Sequence, residues 1–349
     1  MKICHVINSL SGGGAETHLL DLVYAQKELG HTVNVIATGP DKKNMKSFDK
    51  EFTHASDDVL RLYFPRLLNL YSYVKFFKHL QKEQFDVVHT HQPRSDFMYF
   101  ILNFFTSFKP TWIVSIHGKY DTYLEGSLFF DKLRKLSMPL LVKIWNKSDH
   151  IICISEEVEK WLTLYKIKSR TSVINYWINN AKLENLDKTK ESINIGFMGR
   201  INRNKGIEDL LEVHEELNKD RYSLFIAGSG KESYLKKLND RYDLKNVNFL
   251  GYISNKDKFF SNIDIFVFPS YSEGLGLALL ESMSYSKICI SRDVPPMNSI
   301  LNHDSGYLFQ NIEELKSIIL DCGHLYKEDL LSLNKKLSNQ YNLLNEKYN

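Results

Sequence analysis

Residues 193–218 read INIGFMGRINRNKGIEDLLEVHEELN, and this stretch decides the fold. Ile193 to Met198 is an apolar run closed by Gly199, which reads as a buried strand. Arg200 and Lys205 straddle a polar turn, and a helix is expected from about Ile207 to Asn218. The same order of strand, glycine turn and helix returns about seventy residues later. Ile263 to Pro269 reads as a second buried strand, running into Ser272-Glu273-Gly274-Leu275-Gly276 and an apolar helix that carries Glu281. In an open parallel sheet, ligands sit outside the carboxyl ends of strands, where helix amino termini offer N–H groups. Singly, each of these residues is ordinary turn or surface chemistry. Together, two cations, two glycines and two carboxylates suit a molecule that carries both phosphates and hydroxyls, which describes a sugar nucleotide.

Outward from this stretch, strand and helix signals alternate in two sets. The first comprises Ile3–Asn8, Val33–Thr38, Asp86–His91, Trp112–Ile116, His150–Ser155 and Ser172–Tyr176, with helical stretches such as Thr17–Leu29 between them. The second comprises Ile193–Gly199, Tyr222–Ala227, Val247–Gly251, Ile263–Phe268 and Ile288–Ser291. Alternation of this kind predicts parallel sheets covered on both faces. At 349 residues the chain is long for one domain, and 43% hydrophobic residues are enough for two cores. The polar segment 179–192 has no apolar period and is read as the linker. The expected divisions are therefore 1–178, a linker at 179–192, a second domain at 193–327 and a final helical segment at 328–349.

The first strand is followed by Gly12-Gly13-Gly14-Ala15-Glu16 and a helix. Glycines there let the backbone approach a ligand closely. A dinucleotide enzyme would show Gly-x-Gly-x-x-Gly, with an acidic residue about 20 positions on. Here the second strand ends in Thr38-Gly39-Pro40 instead, which argues against a nicotinamide cofactor. His117-Gly118 follows the strand Trp112–Ile116 and takes the same position at a strand end. His89 and His91 alternate along one strand and share a face. No third ligand of suitable geometry is evident, so no metal is expected, and His91 is expected to line the acceptor side.

The Gly199-Arg200 … Lys205-Gly206 loop, followed by Glu273 and Glu281 with seven residues between them, resembles the signature of the retaining glycosyltransferases of family 4. The resemblance covers nearly the whole chain, because Gly13, Gly14 and His117 also match. It implies the GT-B architecture, an α/β fold of two Rossmann-like parallel-sheet domains facing a central cleft, with the final helix crossing back to brace the first domain. It implies that Arg200 and Lys205 stabilise a departing nucleoside diphosphate. It also implies that Glu273 and His117 contact the donor sugar, and that Gly13 and Gly14 approach the donor phosphate and sugar. Glu16 would brace that loop or the acceptor side. The reaction would retain anomeric configuration by front-face attack.

The residues supply part of the chemistry without the resemblance. No Asp-x-Asp occurs, so the usual carboxylate clamp for a divalent ion is missing; Arg200 and Lys205 supply positive charge instead. The amides of Gly274, Leu275 and Gly276 at a helix start add to it, beside Gly199 of the first loop. Glu281, about one turn into that helix, is suited to the ribose hydroxyls. A hydrolase would place two carboxylates across the glycosidic bond, and the basic pair beside Glu273 argues against that. The expectation is a metal-independent transferase with no required cofactor. Its donor would be a UDP- or GDP-sugar, and its acceptor a hydroxyl of a glycan or lipid-linked saccharide in bacterial surface-polysaccharide synthesis. Departures from the family pattern are Trp177 in place of a glycine, Ser286-Lys287-Ile288 in place of Gly-x-Pro, and Pro295-Pro296-Met297 in place of a glycine pair.

Charge bears on the acceptor. Residues 1–180 hold 23 Lys/Arg against 18 Asp/Glu, and the remainder holds 22 against 24. Between Arg61 and Lys147 the count is 13 against 6, mixed with aromatics that include Tyr63, Phe64, Tyr71, Phe76, Phe104, Phe105, Phe129 and Phe130. That mixture suits an anionic membrane surface, and equally an ordinary core under solvated lysines. The net charge of +3 and the lack of a recognition motif argue against nucleic acid. Cys4, Cys153, Cys289 and Cys322 form no Cys-x-x-Cys pair and read as buried thiols of a reducing compartment. With no signal-peptide pattern and no long apolar run, the chain is expected in the cytoplasm, with peripheral contact to the inner face of the plasma membrane as a candidate. Two rival classes stand beside the transferase: a doubled-Rossmann oxidoreductase, and a non-catalytic sugar-nucleotide or lipid-binding scaffold.

Overall fold

A computed structural model describes residues 1–39, 47–62, 69–121, 128–178, 184, 186, 191–253 and 255–348, with the side chains of 128–131 and 133 excepted. Most of the segment read as the linker, together with Pro40, Tyr63, Phe64 and the side chains of Phe129 and Phe130, lies outside the described residues. The chain divides into two compact units. The first covers Met1–Asp121 and Lys132–Asn175, and the second takes in the chain from Tyr176 onward.

The strands of the first unit are β1 (Lys2–Ile7), β2 (Thr32–Ala37), β3 (Asp58–Arg61), β4 (Val87–His91), β5 (Thr111–Ile116), β6 (His150–Cys153) and β7 (Arg170–Val173). The helices are α1 (Gly14–Glu28), α2 (Asp49–Ala55), α3 (Leu70–Glu83), α4 (Pro93–Asn103), α5 (Leu128–Trp145) and α6 (Glu156–Thr163). The sheet order is β3-β2-β1-β4-β5-β6-β7, with every pairing parallel. Strand order reverses direction between β1 and β4. A parallel sheet needs cover on both faces, and the near-continuous burial of β1, β2 and β4 reflects it. Apolar residues of α1, β1, β2 and α2, among them Leu19, Val23, Val35 and Phe52, make one of its cores.

The second unit repeats the plan with β8 (Ile193–Met198), β9 (Tyr222–Ala227), β10 (Val247–Gly251), β11 (Ile265–Phe268), β12 (Ile288–Arg292) and β13 (Tyr307–Phe309). Its helices are α7 (Ile207–Glu216), α8 (Glu232–Arg241), α9 (Lys256–Asn262), α10 (Leu277–Ser284), α11 (Met297–Ile300), α12 (Ile312–Glu328) and α13 (Leu330–Lys347). The order is β10-β9-β8-β11-β12-β13, again all parallel, and here the reversal falls between β8 and β11. The last helix, α13, packs on α10, α12 and β12 of its own unit. Glu184 and Leu186 are tied to Ser286 and Asn334 by hydrogen bonds of 3.0 and 2.6 Å.

Two edge strands, β3 and β13, add to those expected, and the strand expected at Ser172–Tyr176 runs instead over Arg170–Val173. At three or four residues, β3 and β13 are too short to show a period; each is held by the neighbour whose free edge it covers. All four cysteines are buried free thiols.

Candidate active site

Where strand order reverses, the loops leaving two adjacent parallel strands splay to opposite faces and open a crevice at their carboxyl ends. In the second unit these are the loops after β8 and β11, the two stretches singled out in the sequence. The loop after β8 is fixed by backbone bonds. Gly199 N–H donates to Ala227 O at 2.9 Å and Ile201 N–H to Ser229 O at 2.9 Å. A Cβ on Gly228, whose φ is +141°, would lie 1.8 Å from Gly199 O, so only glycine permits this approach. Asn202 caps a short 3-10 turn at Arg203–Lys205, and Gly206, at φ +65°, redirects the chain into α7. A Cβ on Gly206 would meet Pro269 O at 2.1 Å, which is how closely the loop after β11 passes.

Asn204 joins the two loops. It is buried, its Nδ2 donates to Ser272 O at 3.0 Å, and its carbonyl accepts from Tyr271 N–H at 2.9 Å. Beside it, Lys205 Nζ is ion-paired with Glu273, the two side chains being 11% and 14% exposed. The ammonium also lies 5.5 Å from the centroid of the Phe268 ring. Arg200 is exposed at the mouth of the loop. Lys205, by contrast, is only 9% exposed, and Glu273 compensates its charge. After Glu273 the chain passes Gly274 and buried Leu275 to Gly276, whose φ of +84° makes it the cap of α10. Glu281 lies in the second turn of that helix and pairs with Lys256 Nζ at 2.5 Å, from the start of α9.

A further clamp holds the loop after β11 from behind. Arg292, at the end of β12, donates Nε–H to Pro269 O at 3.0 Å and is ion-paired with Asp209 of α7. Tyr271 OH donates to the same carboxylate at 2.6 Å, and the guanidinium stacks 4.1 Å from the Tyr271 ring centroid. Asn204, Gly228, Lys256 and Arg292 all escape a reading of the sequence. The Asn-Lys-Gly ahead of α7 and the Ala-Gly-Ser-Gly after β9 were the available signals for the first two; Lys256 and Arg292 carry none.

In the first unit the reversal falls between β1 and β4. The glycine turn after β1 leads into α1, which begins at Gly14 and is capped by Gly13 in extended backbone. Glu16 is buried beneath it, and a Cβ on Gly13 would sit 2.5 Å from Glu16 Oε2. His117, just past β5, is half-buried. Its Nε2 lies 3.1 Å from His91 Nδ1, and His91 Nε2 lies 3.0 Å from His5 Nδ1. His91 is fully buried between two other rings, so it does not line an acceptor surface. The third histidine missing from the sequence reading is His5, on the strand next to β4. Ring nitrogens of His5, His89 and His91 lie within 4.8 Å of one another. Burial lowers the pKa of His5 and of His117 to about 4, and holds His89 and His91 well below the usual imidazole range.

Comparison with known proteins agrees with this geometry. The family described as Glycosyltransferase Family 4 matches residues 12–182, and that described as Glycosyl transferases group 1 matches residues 179–339. The chain belongs to glycosyltransferase family 4. It is similar to the O-antigen biosynthesis glycosyltransferase WclY of Escherichia coli, with 23% identity over 96% of this chain and 92% of that protein. It is likewise similar to the capsular polysaccharide biosynthesis glycosyltransferase CapM of Staphylococcus aureus, at 23% identity over 80% and 77%. Among solved structures, HepE of Anabaena in complex with UDP-glucose superposes with a TM-score of 0.82 at 18% identity, covering 100% of this chain and 96% of that one. Sucrose-phosphate synthase of Thermosynechococcus elongatus superposes with a TM-score of 0.79 at 18% identity, covering 100% and 95%. This family 4 glycosyltransferase has the two parallel-sheet units of the GT-B fold.

Proposed function

We propose that the chain transfers a hexosyl group from a UDP- or GDP-sugar to a hydroxyl of a glycan or lipid-linked saccharide, with retention, in the synthesis of a surface polysaccharide. The observation that carries the donor half is the pairing of Lys205 with Glu273 between two loops that leave the reversal strands β8 and β11. Both loops end at helix starts, and the amides of Gly274, Leu275 and Gly276, at the entry to α10, are assigned to phosphate oxygens. Arg200 and Lys205 are assigned to the diphosphate, Glu281 to the ribose, and Glu273 to the sugar hydroxyls. Gly199 gives the phosphate side-chain-free access. In the first unit, Gly13, Gly14 and His117 are assigned to the sugar and its phosphate. Positive charge fixed where negative charge develops on the leaving diphosphate is the largest expected contribution to rate. The leaving phosphate oxygen takes the proton of the attacking hydroxyl on the same face, so the reading needs neither a separate general base nor a divalent ion. The surface-polysaccharide setting is supported by the similarity to WclY and CapM, transferases of O-antigen and capsular polysaccharide biosynthesis.

Incubation of the purified chain with a panel of radiolabelled nucleotide sugars tests this reading. Slow hydrolysis or transfer selective for one nucleotide sugar supports it. Binding with no turnover in the presence of glycan and lipid-linked acceptors supports a scaffold, and binding of NAD supports an oxidoreductase.

Membrane contact belongs to the same proposal. On α5, Leu136 and Leu140 are 68% and 49% exposed among exposed Lys132, Lys135 and Lys143. An apolar strip edged by lysines suits an anionic bilayer surface. Among the described residues no helix is long and apolar enough to cross a membrane.

A further inference from the structure

A line of hydrogen-bonded rings crosses the sheet of the first unit. It starts at Gln26 of α1, whose Oε1 lies 2.8 Å from His5 Nε2 on β1. It continues from His5 Nδ1 to His91 Nε2 at the end of β4, 3.0 Å away, and from His91 Nδ1 to His117 Nε2 beyond β5, 3.1 Å away. His5 and His91 lie on the adjacent strands β1 and β4, and His117 directly follows β5 on the other side of β4, so the sheet sets their spacing.

A neutral imidazole carries one N–H and one lone pair, and in such a line each ring dictates the next. The amide oxygen of Gln26 only accepts, so His5 holds its proton on Nε2 and offers Nδ1 as a lone pair. His91 must then donate from Nε2 and accept at Nδ1, and His117 must donate from Nε2. We propose that Gln26 fixes the tautomer of His117 through His5 and His91, holding the His117 proton on Nε2. Burial keeps the rings neutral near pH 7, which preserves the one-proton rule along the line. With every inter-ring nitrogen of His5 and His91 engaged in this way, the close approach of His5 and His91 is accounted for by hydrogen bonding. Gln26, His5 and His91 act as positioning residues. The assignment of His117 to the sugar comes from the proposed function; the tautomer lock does not depend on it.

The test uses the full chain labelled with 15N-histidine and no substrate. Long-range 1H–15N correlation distinguishes protons on Nε2 from protons on Nδ1, and each ring is assigned by loss of its signals in His5→Gln, His91→Gln and His117→Gln. The expected pattern is Nε2–H on all three rings. In Gln26→Met, which keeps helix propensity and removes the amide, His117 signals should move toward a mixture of tautomers while those of His150, bonded to Ser172 elsewhere in the unit, stay put. Turnover should fall about fivefold, the worth of one misdirected hydrogen bond. Nδ1–H on any of the three rings in the wild type overturns the lock, as do metal-bound imidazole shifts accompanied by stoichiometric metal. A uniform Nε2–H pattern with unchanged turnover in Gln26→Met overturns the positioning role. Unchanged turnover in His117→Ala would instead refute the assignment of His117 to the sugar, with the tautomer result standing on its own.

Discussion

Lys205 and Glu273 pair across two loops sixty-eight residues apart in sequence, and each is the reason the other tolerates burial. A cation held by a carboxylate ahead of substrate is pre-oriented, but it also contributes to the fold. Removing one partner strands the other.

Arg200→Ala and Lys205→Ala therefore should differ in stability while agreeing in catalysis. Both should lose about two to three decades of turnover, or roughly 3–4 kcal/mol of transition-state stabilisation. Lys205→Ala should also lose about 1–3 kcal/mol of folding stability, and Arg200→Ala almost none. Urea melts beside single-turnover rates measure both. Near wild-type turnover in both variants would remove them from the diphosphate.

Gly228→Ala is expected to disturb the loop without touching a charged residue. Its Cβ would collide with Gly199 O in a backbone conformation that alanine adopts only with strain. A cost of about 1–3 kcal/mol and weaker nucleotide binding should appear together in thermal melts with and without UDP. Unchanged melting and binding would show that this contact yields easily.

Activity should survive EDTA. Arg200 and Lys205 already supply positive charge at the assigned phosphate position, and the loops there carry no carboxylate pair of the Asp-x-Asp kind. Loss of turnover with chelator, restored by magnesium or manganese, would contradict this.

Acid should weaken the first unit. His5 and His117 sit at about 4 in the folded chain, against 6.5 for an unperturbed histidine. Below about pH 6.5 the unfolded chain binds more protons than the folded one. Stability is thus complete above that pH and is lost as pH falls toward 4, at about 1.4 kcal/mol per unit for each ring. Urea unfolding at pH 7 and pH 5 should differ by about 2 kcal/mol or more. Equal stability at both would mean that these rings are solvated in the folded state.

Vesicle binding should follow α5. Sedimentation with phosphatidylglycerol vesicles, released by salt and absent with neutral vesicles, is expected, since each lysine near such a surface contributes about 1 kcal/mol. Charge reversal at Lys132, Lys135 and Lys143 should weaken it while UDP binding persists. Equal sedimentation with both vesicle types would leave only solvated lysines over an ordinary helix.

The alternation of elements, the strands that carry Gly199 and Glu273, and the membership in family 4 were legible because they rest on local signals. Apolar runs, glycine turns and fixed spacings are written in consecutive residues. Strand order is not. His5 and His91 are 86 residues apart, and only the placement of β1 beside β4 makes them neighbours, which no periodicity announces. Nothing in the sequence marks Lys205 as buried, because its compensating carboxylate lies in another loop. Lys256 had no mark at all until α9 brought it to Glu281.

The four buried cysteines give each unit its own clock. Cys4 and Cys153 lie in the first unit and Cys289 and Cys322 in the second, and burial drives the last three up to about 12 and Cys4 higher still. A thiol with so little thiolate reacts only when its strand or helix opens. Pulsed alkylation followed by peptide mapping would then time the opening of the two units separately, in a single sample, and show which one yields first.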